Sequence, residues 1–485
     1  MMAGETAVIR TLLFLIIIAP ALAGCTVNPA TGGRSFTGFM SPEDETRVGR
    51  EQHPQIVRAF GGAYGDRRVQ DYVARVGQSL AQVSELPTLG FTFTVLDSPV
   101  VNAFALPGGY IYVTRGLMAL ASDEAELAGV LAHEIGHTTA RHAAQRYSQQ
   151  IVAGLGAAVG GAITGSDEIA DSVSFSASSV LQSYSRDQEF EADTLAIRYL
   201  GRTGYALEAI SAFLAKVDRH TRLEAENAGR SPGEIDSSSI AATHPRTLDR
   251  VERTAASTGT VQGRRERAAY LGIIDGMLYG DDPDQGQIRG QTFIHPRLAI
   301  RFDVPPGFRL MSGTRQVVAQ NASGAAIAFD TARADQISMA DYLGNVWGKS
   351  LRLADIERIQ INGQDAASAS ARIQVRRGPM DLRLVAIRVE ATIHRFLFLI
   401  PPQLSETLSE ELHRTLFSFR RLSAAEAVAA PRRIRLHTVQ PGESKSRLIQ
   451  MMAPDAARER RFDIINGLGE SASPPPGSLV KVVTE

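Results

Sequence analysis

The run His133-Glu134-Ile135-Gly136-His137 is the feature that most constrains this chain. On an α-helix, residues four positions apart lie on the same face, one turn above each other. Two imidazoles placed in this way can bind one Zn²⁺ through nitrogen, and the carboxylate next to the first can accept a proton from a water molecule at the metal. The motif therefore predicts a hydrolytic metal site with His133 and His137 as ligands and Glu134 as the general base.

The residues before the motif predict the helix that this arrangement needs. Ser122 and Asp123 are residue types that cap a helix N-terminus, and acidic residues fill the first turn, where the helix dipole favours them. Apolar residues then follow at helical spacing, which predicts one face directed toward a core.

A catalytic zinc site needs three protein ligands and one open position, so a third ligand must lie elsewhere. In the acidic stretch 185–193, Glu189 and Asp193 are four residues apart and share a helix face. Glu189 can bind the metal, and Asp193 can hydrogen-bond the outer nitrogen of a ligand histidine. By itself such a stretch is typical of a solvated helix face; beside the HExxH motif it predicts the third ligand and its supporting carboxylate.

Together these motifs resemble peptidase family M48, a group of zinc metallopeptidases of the gluzincin type, over about residues 30–255. The stretches that carry the resemblance are HEIGHTTARH at 133–142, Glu189 with Ala192-Asp193, and VNAFALPGG at 101–109. The resemblance implies a mainly α-helical peptidase domain with a small β-sheet. It also implies the roles of zinc ligand for His133, His137 and Glu189, of catalytic base for Glu134, and of hydrogen-bond partner to a ligand for Asp193.

Two further segments are candidates for the site. The strand predicted over 108–114 resembles the family's strand at the rim of the cleft, which pairs with an extended substrate; an ordinary core strand is the alternative. The resemblance also places a His-Pro pair near the site, which implies that His244 is a catalytic donor to the substrate oxyanion. A surface-loop histidine is the alternative for His244. Arg141 and His142 are interpreted as support for helix packing.

The N-terminus predicts the location of the protein. Arg10 precedes an apolar run that is too short to span a bilayer, which predicts a secretory signal peptide over 1–24. The run ends in LAGC, which resembles the bacterial lipobox and implies lipidation of Cys25. Residues 25–41 then form a lipidated tether, and Thr26 after the cysteine is typical of outer-membrane lipoproteins. The alternative is a plain secreted protein with an incidental cysteine.

Composition excludes one class of partner. The formal net charge is −1, whereas a nucleic-acid-binding protein needs a strongly basic surface. Cys25 is the only cysteine, so the chain forms no internal disulfide, and stability outside the cytoplasm must come from core burial.

The chain divides into a series of predicted domains. The peptidase domain covers 42–255, and its glycine-rich segment 151–165 suits a mobile lid or membrane-facing loop, with a packed helix of small residues as the alternative. A helical linker over 256–290 leads to an α+β accessory domain over 291–422, where strand patterns dominate and no metal or nucleophile constellation occurs.

The C-terminal segment carries a second resemblance. After an Ala/Pro linker over 423–433, residues 434–485 show a turn, a helical pattern, Asn-Gly, Pro-Gly and a final strand. This order resembles a LysM-type module, which implies peptidoglycan as a candidate partner.

These observations predict a zinc endopeptidase of the bacterial envelope that faces the periplasm and is anchored in the outer membrane through Cys25. Its expected substrates are unfolded or misassembled envelope proteins, in keeping with protein quality control. The alternative from another class is a chaperone-like or murein-binding lipoprotein scaffold with a non-catalytic metal site.

Overall fold

The computed structural model describes residues 25–151, 183–227, 240–244, 247–258 and 263–485, apart from short gaps at 313–315, 322, 334–335, 376–377, 424–425, 427–430, 456 and 470. The described chain forms two compact units. The first combines Gly62–Tyr279 with the residues up to Arg58 and with Arg432–Glu485; the second consists of Ala59–Gly61 and Gly280–Pro431. The predicted leader 1–24 lies outside the described residues, as does the 151–165 segment beyond its first residue.

The N-terminal part of the first unit is mainly helical around a small sheet. Its strands are Cys25–Val27 (β1), Arg34–Phe36 (β2), Thr92–Leu96 (β3), Ala103–Leu106 (β4) and Tyr110–Thr114 (β5). Its helices are Pro42–Ala59 (α1), Arg67–Ala81 (α2), Arg115–Leu120 (α3), Glu124–Thr139 (α4), Arg186–Thr203 (α5), Ala209–Asn227 (α6), Ile240–Thr243 (α7), Thr247–Thr258 (α8) and Arg267–Ile274 (α9). The fold predicted for this region, a helical domain with a small sheet, is confirmed.

Helix α4 carries the HExxH motif and lies at the centre of this unit. The Asp123 carboxylate accepts a hydrogen bond from the Glu126 amide at 2.9 Å and so caps the helix N-terminus. Every residue of α4 except Thr138 is buried. The helix is therefore buried on all sides, and not only on the one apolar face that its sequence predicts. Gly136 permits close contact with α5, because a Cβ atom there would lie 3.1 Å from the Ala192 carbonyl oxygen.

The small sheet has the order β3-β5-β4. Strand β5 pairs with β3 in parallel and with β4 in antiparallel orientation, so both of its edges are occupied. The interpretation of 108–114 as a substrate-pairing rim strand is therefore wrong. In the described part of the chain, β3 and β4 are the two outer strands of this sheet.

Residues 25–41 are part of the folded unit, which corrects their description as a tether. Strands β1 and β2 form an antiparallel hairpin that pairs Cys25 with Phe36. Behind the hairpin, Arg141 has a left-handed backbone with φ 57° and directs its guanidinium to the Met40 carbonyl at 2.8 Å and to the Glu45 carboxylate at 3.0 Å. Arg141 thus holds the N-terminal segment rather than the motif helix alone.

The second unit is rich in β-sheet. Its strands are Gln287–Arg289 (β6), Thr292–His295 (β7), Ile300–Asp303 (β8), Arg309–Ser312 (β9), Val317–Gln320 (β10), Ala326–Arg333 (β11), Ala354–Ile361 (β12), Gln364–Val375 (β13), Gly378–Val389 (β14), Thr392–Ile400 (β15) and Arg420–Arg421 (β16). They form a four-stranded sheet, β16-β8-β7-β6, and a seven-stranded sheet, β12-β13-β14-β15-β11-β10-β9. The helical segments are Met339–Asp341 (α10), the π-helical turn Tyr342–Trp347, the 3₁₀ turn Pro402–Leu404 and Ser405–Ser418 (α11). The prediction that strands dominate this region is confirmed.

The C-terminal segment has a βααβ order: Arg433–Thr438 (β17), Lys445–Gln450 (α12), Arg458–Asn466 (α13) and Leu479–Thr484 (β18). Strands β17 and β18 pair in antiparallel orientation. The segment belongs to the same compact unit as the peptidase region, as does helix α9 from the predicted 256–290 linker. The chain is therefore not divided into the series of separate domains that the sequence predicts. The likeness of the segment to LysM modules stays a prediction.

Lys481 of β18 ties this segment to the peptidase region. Its side chain is 0% exposed, and Nζ donates to the carbonyl oxygens of Ala119 at 2.8 Å and Ala121 at 2.7 Å, at the C-terminal end of α3. Burial lowers the pKa of Lys481 well below its usual value. The lysine satisfies carbonyl groups that the end of α3 leaves without helical partners.

We expect Lys481→Met to lower the free energy of unfolding by about 2–4 kcal/mol, because two buried carbonyl groups lose their donor. Urea unfolding of the full chain, followed by circular dichroism, measures the change. Lys349→Met removes an exposed lysine and serves as the control, with an expected effect within about 0.5 kcal/mol. Equal unfolding midpoints for the two variants would show that Lys481 does not stabilise the fold.

Candidate metal centre

The two histidines of the motif converge as their spacing predicts. His133 and His137 lie one turn apart on α4, and their Nε2 atoms are 3.0 Å from each other. Both rings are buried. The outer nitrogen of His133, Nδ1, is 2.9 Å from Asp193 Oδ1.

Helix α5 brings Glu189 to these two nitrogens. The helix begins with a capping box, in which Ser185 and Gln188 each accept a hydrogen bond from the backbone amide of the other. The Glu189 carboxylate follows in the first turn, with Oε1 3.5 Å from His137 Nε2 and Oε2 3.5 Å from His133 Nε2. The acidic stretch is therefore directed inward at Glu189, whereas a solvated face would leave this residue exposed.

His244 lies beside the same atoms. It follows α7, is 3% exposed, and places Nδ1 2.9 Å from Glu189 Oε1 and 3.3 Å from His133 Nε2. Its Nε2 is 3.4 Å from Glu134 Oε1. The alternative of a surface-loop histidine is wrong. The donor atoms of His133, His137, Glu189 and His244 all lie within 4.8 Å of one another.

These donors fit a zinc ion. Tetrahedral zinc with bonds of about 2.0–2.1 Å holds its ligand atoms about 3.3 Å apart, and the donor atoms of His133, His137 and Glu189 are separated by 3.0–3.5 Å. Because Asp193 accepts the proton on Nδ1 of His133, the Nε2 lone pair of that ring is directed at the cluster. Nitrogen and carboxylate lone pairs that face one another at this distance are stabilised by a cation.

Glu134 lies beside the cluster, with Oε1 3.4 Å from His244 Nε2. Its carboxylate is 1% exposed, and neither oxygen has a hydrogen-bond partner among the described residues. Burial raises the pKa of Glu134 above its usual value, and His244 and His133 oppose this shift. A buried carboxylate with free lone pairs next to a metal site is suited to accept and return a proton.

Arg250 of α8 is a site residue that sequence reasoning missed. Its guanidinium binds Asp193 through two hydrogen bonds, Nε to Oδ2 at 2.8 Å and Nη2 to Oδ1 at 2.7 Å, while Nη1 is 2.8 Å from Glu189 Oε2. Burial alone would raise the pKa of Asp193, but Arg250 and His133 outweigh it and lower that pKa to about 2. Nothing in the sequence distinguishes Arg250 from the exposed Arg253 one turn later.

His137 also has neighbours at the site that sequence reasoning did not predict. Its Nδ1 is 2.8 Å from His142 Nδ1, and His142 Nε2 is 3.1 Å from Glu191 Oε2. The Tyr184 ring stacks on His137 with centroids 3.9 Å apart. Burial lowers the pKa of His142, although Glu191 opposes this. His142 thus contacts a predicted ligand directly, beyond the packing role expected of it, and its place in HEIGHTTARH was the available signal.

An HExxH helix whose two histidines meet a glutamate from a second helix defines the gluzincin class of metallopeptidase site. The comparison with known families agrees with this class. Residues 67–257 match Peptidase family M48, and this part of the chain is an M48 domain.

Curated relatives share the same region. The putative beta-barrel assembly-enhancing protease of Vibrio cholerae is 33% identical over 138 residues, which cover 27% of this chain and 28% of the relative. Mitochondrial metalloendopeptidase OMA1 of Schizosaccharomyces pombe is 33% identical over 120 residues, 24% of this chain and 34% of the relative. The beta-barrel assembly-enhancing protease of Escherichia coli is 26% identical over 209 residues, 41% of this chain and 43% of the relative.

The chain thus spans less than half the length of these relatives. Among solved structures, the solution structure of cyanobacterial PsbP from Synechocystis covers 31% of this chain and 94% of its own, with 14% identity and a TM-score of 0.22. Among the described helices, none has the length and apolar character needed to cross a membrane.

Proposed function

We propose that the protein is a zinc-dependent endopeptidase of the bacterial cell envelope. The observation that carries the proposal is the convergence of His133, His137 and Glu189 beside Glu134, a buried carboxylate without a hydrogen-bond partner among the described residues. A binding protein with a structural metal would have no use for that carboxylate, because leaving it unpaired in the interior costs free energy.

Zinc at this site would polarise the peptide carbonyl and make water more acidic. Glu134 would take the proton from the attacking water and deliver it to the leaving amine. Asp193 and Arg250 keep the donor cluster in place, since Asp193 orients His133 and Arg250 bonds Asp193 and Glu189.

His244 is a proposed catalytic residue. Its Nδ1 lies 2.9 Å from Glu189 Oε1, next to the three donors that would hold zinc. With substrate bound, the imidazole would donate a hydrogen bond to the oxyanion.

An extended polypeptide is the proposed substrate. Strand β4 is an outer strand of the small sheet within the described part of the chain, and a cavity of about 400 Å³ lies between that strand and the motif helix. Leu89, Leu106 and Tyr184 give the cavity an apolar lining next to His137. Backbone pairing along β4 would bind the chain with little demand on sequence, and the cavity would accept an apolar side chain. Unfolded or misassembled envelope proteins present both features.

The envelope location is proposed from the N-terminus and from the relatives. A lipid on Cys25 would anchor the protein in the outer membrane, facing the periplasm. Two relatives are named as beta-barrel assembly-enhancing proteases, which supports a role in protein quality control. The βααβ segment, if it is a LysM-like module, would add peptidoglycan as a partner.

We expect purified protein to cleave an unfolded substrate such as reduced, alkylated casein, and a chelator to abolish the cleavage. Addition of zinc after removal of the chelator should restore it, because the ligands remain in the chain. Gel electrophoresis of the reaction over time measures both effects. Binding of casein without cleavage, with or without the chelator, would favour the scaffold alternative and contradict the peptidase proposal.

A further inference from the structure

A hydrogen-bonded chain runs from the N-terminal segment to the predicted ligand His137. Asn28 Nδ2 donates to Glu191 Oε1 at 3.0 Å, and Glu191 Oε2 is 3.1 Å from His142 Nε2. His142 Nδ1 is in turn 2.8 Å from His137 Nδ1. The side chains of Asn28, Glu191 and His142 therefore connect the N-terminal segment to His137.

The direction of each hydrogen bond follows from the chemistry of the groups. The Oδ1 atom of Asn28 accepts from the Ala30 amide at 2.9 Å, so its NH₂ group must face Glu191. A carboxylate only accepts, so neutral His142 carries its proton on Nε2. His142 Nδ1 is then an acceptor, and His137 must donate to it from Nδ1. This order leaves Nε2 of His137 without a proton and able to bind a metal.

The opposite tautomer of His142 would disable the ligand. If His142 carried its proton on Nδ1, it would donate to His137, whose own proton would then be on Nε2 and block metal binding. The Glu191 carboxylate disfavours that tautomer, because its Oε2 lies 3.1 Å from His142 Nε2 and can only accept a hydrogen bond there. His142 is 0% exposed and Asn28 3% exposed, whereas the Glu191 side chain between them is 28% exposed, so water is kept from the histidine and the asparagine but reaches the carboxylate.

We propose that Asn28, Glu191 and His142 are positioning residues that set the tautomer of His137, so that the N-terminal segment forms part of the metal centre. The proposal rests on the zinc site proposed above. Asp193 sets the tautomer of His133 by direct contact with its Nδ1. For His137, the contact runs through His142 and Glu191 to Asn28, which is more than 100 residues from Glu191 in the sequence. A purely structural hairpin would need no side chain aimed at Glu191.

Exchanging the amide of Asn28 and the carboxylate of Glu191 between the two positions tests the proposal. In Glu191→Gln, the amide cannot accept from both Asn28 and His142, so one hydrogen bond is lost or His142 changes tautomer. In Asn28→Asp, two carboxylates face each other. In the double variant N28D/E191Q, the polarity of this contact is reversed relative to the wild type. The new amide at position 191 donates to the new carboxylate at position 28, and the amide oxygen again accepts from His142.

We expect each single variant to bind zinc about 10–100-fold more weakly than the wild type and the double variant to recover most of this loss. Competition with a chromophoric chelator measures the affinity, and the visible absorption of the Co²⁺-substituted protein reports the ligand geometry. Thermal unfolding of the metal-free proteins shows whether the fold is affected.

The outcomes separate this proposal from the one on which it depends. Wild-type affinity in both single variants, or a double variant as weak as the single variants, would overturn the role of the hydrogen-bonded chain. If all three variants lost stability without metal, and the double variant did not recover zinc affinity, the segment would be only structural. Failure of the wild type to bind zinc would instead remove the proposed function itself.

Discussion

Glu134→Gln is expected to lower kcat for peptide hydrolysis by about 10²–10⁴-fold while leaving zinc content and folding unchanged. The amide keeps the size of the side chain but cannot accept a proton from water. Its neighbours at the site, His133 and His137, keep their own contacts to Asp193 and His142. Cleavage rates of an unfolded substrate and metal analysis of the same preparations measure the two effects.

Glu252→Gln is the matched control for this substitution, since Glu252 is an exposed residue of α8. It should retain the rate of the wild type. Substantial hydrolysis by a zinc-loaded Glu134→Gln protein would remove Glu134 from the role of general base. Loss of zinc from that variant would instead mean that the carboxylate contributes to metal binding.

Arg250→Met is expected to lower the free energy of unfolding by about 3–5 kcal/mol, because it leaves two buried carboxylates without their shared cation. Asp193 loses both of its hydrogen bonds from the guanidinium, and Glu189 loses its contact with Nη1. The same change should weaken zinc binding, since Asp193 orients His133. Chemical unfolding with and without zinc measures both effects.

Arg253→Met on the same helix is the control for Arg250→Met. Its guanidinium lies 4.4 Å from the centre of the Phe190 ring, so its removal should cost only about 0.5–1 kcal/mol. Arg250→Lys should fall between the two, because a lysine keeps the charge but cannot bond both oxygens of Asp193. Equal stability of Arg250→Met and Arg253→Met would contradict the role assigned to the buried arginine.

Local spacing predicts the two histidines of the site, whereas the acidic stretch 185–193 predicts a third ligand only in combination with the HExxH motif. The helix period alone places His133 and His137 on one face, and residues four apart on a second helix indicate Glu189 and Asp193. The structure brings these residues together, and it adds His244, for which the sequence left a surface loop as an alternative.

The parts that sequence reasoning missed depend on contacts between distant segments. Arg250 and Arg253 look alike in the sequence, and only the packing of α8 directs one of them inward. Asn28 reaches Glu191 across more than 100 residues, which no local pattern can indicate. Sheet order is another such property: the residues of β5 suit either an edge or a central strand, and its pairing with both β3 and β4 decides between them.

The C-terminal segment illustrates the same limit. Its strands and helices follow from turn residues and apolar spacing, but its contacts with the peptidase region include the buried Lys481, one of the few lysines of the chain. A lysine within an apolar strand is usually expected to be exposed. Its donation to the carbonyl groups at the end of α3 is visible only when both segments are in place.

The central claim is that His133, His137 and Glu189 bind one zinc ion, and metal analysis of the purified wild-type protein tests it most directly. We predict about one zinc per chain after removal of loosely bound metal, and loss of that zinc in Glu189→Ala. A wild-type protein that holds no zinc after incubation with the metal, or a Glu189→Ala variant that holds as much as the wild type, would contradict the account.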